Sequence, residues 1–167
     1  MRAAEKAAFG RGVGVETLMD CAGAGVARAV RKFFPQPGKC LVYAGKGHNG
    51  GDALVAAEHL ARSGWNIDIH LVFPESDCSE LTRKKLNSAR EAAPGGGGSL
   101  APTPSLVVLD GLLGLGASRL LRQPVRAAAH EINRHRRDQN GFVFAVDVPT
   151  GLDSDSGEVD PEDCVTA

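Results

Sequence analysis

Three short stretches concentrate the residue types that could do chemistry. They are Gly45-Lys46-Gly47-His48-Asn49-Gly50-Gly51-Asp52, Asp110-Gly111-Leu112-Leu113-Gly114-Leu115-Gly116-Ala117, and Asp147-Val148-Pro149-Thr150-Gly151-Leu152-Asp153. In the first, Gly45, Gly47 and Gly50 form a G-x-G-x-x-G spacing. Glycines let backbone amides approach a phosphate, and the N-terminus of a following helix favours an anion. The same spacing also serves a tight strand–helix turn that holds no ligand, and no G-K-[ST] follows, so this is not a Walker A loop. Asn49 reads either as a turn residue in the left-handed conformation or as an amide facing a ligand or ion. Asp52 either caps the next helix or bonds a ligand hydroxyl. His48 has the chemistry of a general acid or base, although a loop histidine is more often simply solvated.

Asp147 is the strongest catalytic candidate, because an apolar run delivers its carboxylate to the edge where ligands bind and a carboxylate there suits acid–base work. The bland alternative is a turn aspartate bonded to nearby amides. Pro149 and Gly151 are turn formers, and Thr150 adds a hydroxyl between them. Asp110 either caps the DGLLGLG turn or helps to hold a cation. Asn49, Asp110 and Thr150 together supply oxygen ligands with one formal charge. A set so poor in carboxylate suits a monovalent ion better than Mg²⁺ or Ca²⁺.

The intervening pattern says what positions these stretches. Val15, Leu18, Met19, Ala22, Val26, Val30 and Phe33 recur at helical spacing and predict a helix over 15–34, ended by Pro35 and Pro37. A strand is expected at 40–44. A helix is expected over 52–63, with Gly64 as its C-cap. A strand follows at 66–73, then a helix over 79–92 capped by Ser79. The segment Gly95–Gly98 reads as a loop. Strands are expected at 106–110 and 141–148, with a helix from Pro124 to about 136 between them. Strands alternating with helices predict an α/β fold with a mostly parallel sheet, and LVVL and FVFAV are apolar on both faces, as a doubly covered sheet requires. Ligands bind beyond the carboxyl ends of such strands, so the three stretches are expected to meet at one edge. The ending Cys164–Ala167 reads as the start of a further strand, so the natural protein is expected to continue.

The chain has 167 residues, enough for one domain, with 19 basic and 20 acidic residues and a formal net charge of −1. That balance offers no field for nucleic acid or a membrane surface. Cys21, Cys40, Cys78 and Cys164 have no metal-like spacing and read as thiols in a reducing compartment. With no signal-peptide core and no membrane-length apolar run, a cytoplasmic protein is expected.

The three stretches, in order, resemble the signatures of the NAD(P)H-hydrate epimerases, the YjeF N-terminal domain family. That family carries G-x-G-N-N-G-G-D-G, D-A-L-(L/F)-G-T-G and V-D-(I/V)-P-S-G, standing here as GKGHNGGDA, DGLLGLG and VDVPTGLD. MRAAEKAA, LMDCAGAGVA and ASRLLRQPV also look like that family. The resemblance implies a Rossmann-like three-layer α/β/α sandwich and epimerisation of hydrated nicotinamide cofactors, NADHX and NADPHX. It implies a K⁺ ion held by Asn49, Asp110 and Thr150. It implies substrate contacts from His48, Asn49, Gly50, Gly51 and Asp52, from Gly114, Leu115, Gly116, Ala117, Ser118, Arg119 and Leu120, and from Asp147 as the catalytic group. A homodimer and a fused or partner hydrate dehydratase are implied as well. The departures are His48 for asparagine, Ala53 for glycine, Gly111 for alanine, Leu115 for threonine and Thr150 for serine. Two other readings compete. One is a non-catalytic scaffold of the same fold, and the other is a nicotinamide oxidoreductase using Glu75 on the ribose.

Overall fold

The computed structural model describes residues 14–93, 105–115 and 120–167. Helix α1 spans Val15–Phe33, strand β1 Lys39–Ala44, helix α2 His48–Ala61 and strand β2 Asn66–Leu71. A 3₁₀ turn at Glu75–Asp77 leads to helix α3, Glu80–Ala92. Strand β3 is Leu106–Gly111, helix α4 is Val125–Gln139 and strand β4 is Phe142–Ala145. All the strand pairs are parallel, in the order β2-β1-β3-β4. The chain therefore steps outward from β1 to β2 in one direction and through β3 to β4 in the other. The crevice between β1 and β3 is the topological switch point, where ligands of open α/β sheets bind.

Alternate residues of β1 serve opposite faces, because successive side chains of a strand point opposite ways. Cys40, Val42 and Ala44 join Val30 of α1, Leu54 and Leu60 of α2 and Leu86 of α3 in one core. Leu41 and Tyr43 join Val125, Ala129 and Ile132 of α4 in the other. Three helices thus cover one face and α4 covers the other, the three layers expected. The predicted caps are present: Ser79 accepts a bond from the Thr82 amide at 3.1 Å, and Gly64 adopts φ +88° just past α2.

Several boundaries differ from the sequence expectation. Helix α2 begins at His48 rather than 52, so the glycine stretch is mostly its first turn. Asn49 is therefore helical, not left-handed, and Asp52 lies inside the helix rather than capping it. The physical reason is close approach. A Cβ at Gly50 would lie 2.0 Å from the Gly45 carbonyl oxygen, and one at Gly51 would lie 2.5 Å from Met19 of α1. Glycine costs roughly 1 kcal/mol in a helix interior, and here that cost is offset by packing no larger residue allows. Strand β4 stops at Ala145, leaving Asp147 in a bend beyond its end. Residues Cys164–Ala167 form no strand. They are anchored by the Val165 amide donating to the Thr150 carbonyl at 2.8 Å, by Asn133 of α4, which donates to the Cys164 carbonyl at 2.8 Å and accepts the Thr166 amide at 2.9 Å, and by the Val165 side chain buried in the α4 core. The N-terminal MRAAEKAA and the Gly95–Gly98 loop lie outside the described residues.

Candidate active site

A cleft of about 550 Å³ opens at the carboxyl ends of β1 and β3. Its walls are the start of α2 (Lys46, Gly47, His48, Asn49 and Asp52), the turn after β3 (Leu112–Leu115) and the bend after β4 (Val146, Asp147), with Ala22 and Phe73. Parallel strands have brought the three chemical stretches to one place.

Asp110, like Thr150, is not among the residues that line this cleft. It is fully buried, and its carboxylate accepts the Thr150 amide at 2.8 Å, the Thr150 hydroxyl at 2.7 Å and the Leu112 amide at 3.3 Å. Burial pushes this carboxyl up to about 6, while the bonds from Thr150 and Leu112 pull it back toward the charged form. The Thr150 hydroxyl also accepts the Leu113 amide at 3.3 Å. Asp110 and Thr150 thus weld the second stretch to the third.

In the cleft itself stand two polar side chains that remain half satisfied. Asn49 donates to the Leu113 carbonyl at 2.7 Å, and its Oδ1 is buried without a partner. Asp147 accepts the Leu115 amide on Oδ2 at 2.8 Å, and its Oδ1 is likewise buried without a partner. They are neighbours across Gly114: a Cβ there would lie 3.0 Å from Asp147 Oδ2 and 3.4 Å from Asn49 Cβ. Unsatisfied buried acceptors cost free energy, so two on residues that line one cleft mark a place suited to meet donors or a cation.

His48, exposed at the first position of α2, faces the same cleft, as do Asp52, Gly114 and Leu115. Gly50 and Gly51 are buried beneath it. Leu120 is 68% exposed and stands off the cleft wall. Gly116, Ala117, Ser118 and Arg119 lie outside the described residues. Glu75, the candidate ribose acid of the oxidoreductase reading, is instead paired with Arg90 at 2.8 Å. Sequence reasoning missed Lys46, Phe73 and Ala22 as cleft residues. Lys46 had a legible signal, a cation set between two loop glycines. Phe73 had none, since its strand pattern placed it with the Ile67 face.

The family model for "YjeF-related protein N-terminus" matches residues 15–167. The chain belongs to that family. Among its YjeF-related relatives, a "Bifunctional NAD(P)H-hydrate repair enzyme Nnr" of Archaeoglobus fulgidus is 42% identical over 84% of this chain. Only 28% of that relative is covered, so the chain spans under a third of its length. An "NAD(P)H-hydrate epimerase" of Cenarchaeum symbiosum is 34% identical, with 84% of this chain and 67% of that protein covered. The crystal structure of yeast ynu0, YNL200c, superposes with a TM-score of 0.78 at 28% identity, over 96% of this chain and 73% of that one.

Two departures from the YjeF-related signatures explain one another. The signatures put glycine where Ala53 stands and alanine where Gly111 stands. Here a Cβ at Gly111 would lie 2.4 Å from the Ala53 Cβ. The gap between α2 and the end of β3 holds a single methyl group, and this chain supplies it from the helix instead of the strand.

Proposed function

We propose that this YjeF-related chain epimerises hydrated nicotinamide cofactors, interconverting the R and S forms of NADHX and NADPHX. The observation that carries the reading is the pair of buried, partnerless oxygens, Asn49 Oδ1 and Asp147 Oδ1, set together in the switch-point cleft. The names of the relatives point the same way.

The substrate's reacting carbon bears a hydroxyl beside a ring nitrogen, a hemiaminal. A proton held at Asp147 Oδ1 passes to that hydroxyl, the C–O bond breaks as water leaves, and the nitrogen lone pair forms the planar cation. Water then adds to either face and returns a proton to Asp147, which scrambles the centre. The Leu115 amide holds Oδ2 and thereby aims Oδ1. The first turn of α2, as a helix N-terminus, favours the substrate's diphosphate.

The donor set also fits a K⁺ ion. It offers one carboxylate, one amide oxygen and one hydroxyl, from Asp110, Asn49 and Thr150; Asp110 and Thr150 are bonded to each other, and the buried Asn49 Oδ1 is the one of the three left without a protein partner. No cluster of three His, Cys, Asp or Glu suited to a metal occurs among the described residues. Bound there, K⁺ would contribute positive charge that steadies the turns and the diphosphate. A dimeric, cytoplasmic assembly working beside a dehydratase completes the proposal. Relatives named as bifunctional support the dehydratase part of it.

The test follows conversion of R-NADHX to the S form by chromatography, with and without K⁺. Asp147→Asn is expected to slow conversion by about 10²–10⁴-fold, the usual contribution of a general acid–base group, while substrate binding by calorimetry persists. Normal epimerisation by that variant would remove Asp147 from the mechanism.

A further inference from the structure

Among the described residues that line the cleft, Lys46 has no role in the chemistry at Asp147. Lys46 directly follows Gly45, is exposed, and lines the cleft. Its Nζ lies 5.0 Å from the centre of the Phe73 ring. None of the ion pairs among the described residues includes it.

Its backbone is held in place. The Ser79 amide donates to the Lys46 carbonyl at 3.1 Å, and the fully buried Thr82 hydroxyl donates to the Gly47 carbonyl at 3.1 Å. The start of α3 therefore fixes where this lysine leaves the chain, and the Phe73 ring guides its stem.

The sheet order places this cation along the cleft. Asp147 stands past the end of β4 and Phe73 past the end of β2, three strand spacings away, roughly 14 Å. A dinucleotide with its reacting ring at Asp147 and its diphosphate over the first turn of α2 extends its adenosine ribose toward the end of β2. In dinucleotide folds an acid at that place takes the ribose diol, whereas a basic side chain takes a 2′-phosphate. Here two acids lie past β2: Glu75 is engaged by Arg90 at 2.8 Å and Asp77 accepts the Ser76 hydroxyl at 3.2 Å; neither lines the cleft, and the group presented to it is a lysine.

We infer that Lys46, seated on Phe73, binds the 2′-phosphate of the substrate and makes NADPHX the preferred hydrate over NADHX. The inference rests on the substrate class proposed above.

Epimerisation of each hydrate is measured with the unaltered chain and with Lys46→Met, which keeps the stem on the ring and removes the charge. The expected result is a higher kcat/KM for NADPHX in the unaltered chain and about a tenfold fall in the NADPHX-to-NADHX ratio in the variant. Equal losses on both substrates would put Lys46 on the shared diphosphate and overturn the assignment. An unchanged ratio, or an initial preference for NADHX, would overturn it too. Calorimetry with adenosine 2′,5′-bisphosphate against adenosine 5′-monophosphate separates this inference from the functional proposal. A preference for the bisphosphate that Lys46→Met abolishes upholds Lys46 even if neither hydrate is turned over, and equal affinities refute it.

Discussion

The Thr150 hydroxyl acts in two directions, donating to Asp110 at 2.7 Å and accepting from the Leu113 amide at 3.3 Å. Removing it leaves Asp110 Oδ1 with the Leu112 amide alone and the part-buried Leu113 amide without its acceptor, which costs about 1–3 kcal/mol. Thr150→Val is therefore expected to lower the melting temperature by about 5 °C in a chain of this size, as read by thermal denaturation, and Thr150→Ser to restore most of it. A valine variant as stable as the parent would show that the weld between the turns is dispensable. The same distinction separates Thr150 from Asp147. Asp147 keeps a buried oxygen with no partner, so Asp147→Asn is expected to change rate far more than stability. Asp110, by contrast, has both oxygens engaged and ties the turn after β3 to the turn after β4.

At the scale of elements, the decisive contact is α2 against the end of β3. A methyl at Gly111 would overlap Ala53 and would also crowd the carbonyl oxygens of Tyr43 and Asn49, at 3.1 and 3.2 Å. Gly111→Ala alone should therefore destabilise by about 1–3 kcal/mol through overpacking. Ala53→Gly alone should cost about 1 kcal/mol through the helix propensity lost. Together they should be more stable than Gly111→Ala alone, since the second change makes room for the first. A double-mutant cycle by denaturant unfolding measures this coupling, and simple additivity of the two losses would refute a shared methyl site. The same element shows why the glycine stretch misled a local reading. Gly50 and Gly51 look like loop residues on propensity, but Gly45 and Met19 press so closely on them that only glycine can sit in that first helical turn.

On the scale of the whole molecule, ion pairs strap distant parts of the chain together. Lys84 and Lys85 of α3 both reach Glu16 of α1, at 2.9 and 2.7 Å, and Lys85 also pairs with Asp20 at 2.7 Å. The bonds from Lys84 and then Lys85 hold Glu16 down to about 2, from an ordinary value of 4.5. Arg126, with help from His130, likewise holds the Asp163 carboxyl below its usual range and ties the C-terminal segment to α4. For a depressed carboxylate, the folded state binds its proton less readily than the unfolded chain. The stabilisation is complete above about pH 4.5 and is lost as pH falls toward about 2. Melting temperature is expected to drop across that interval, with a shallower drop for Glu16→Gln. Parallel curves for the two proteins would show that the strap contributes nothing.

The sequence by itself determined the alternation of helices and strands, the Ser79 and Gly64 caps, and the three stretches that meet at the candidate site. These depend on hydrophobic period and on turn chemistry, which are local properties of the chain. It also showed that Asn49, Asp110, Asp147 and Thr150 share one sheet edge, because parallel strands leave little choice. Only the tertiary structure decided what each does there. Whether a carboxylate is saturated, as Asp110 is, or keeps an open oxygen, as Asp147 does, depends on amides contributed by other turns. Where α2 begins, why Ala53 and Gly111 stand exchanged, and why Lys46 lies over Phe73 all depend on distances between segments far apart in the chain. No pattern along a single segment carries those distances.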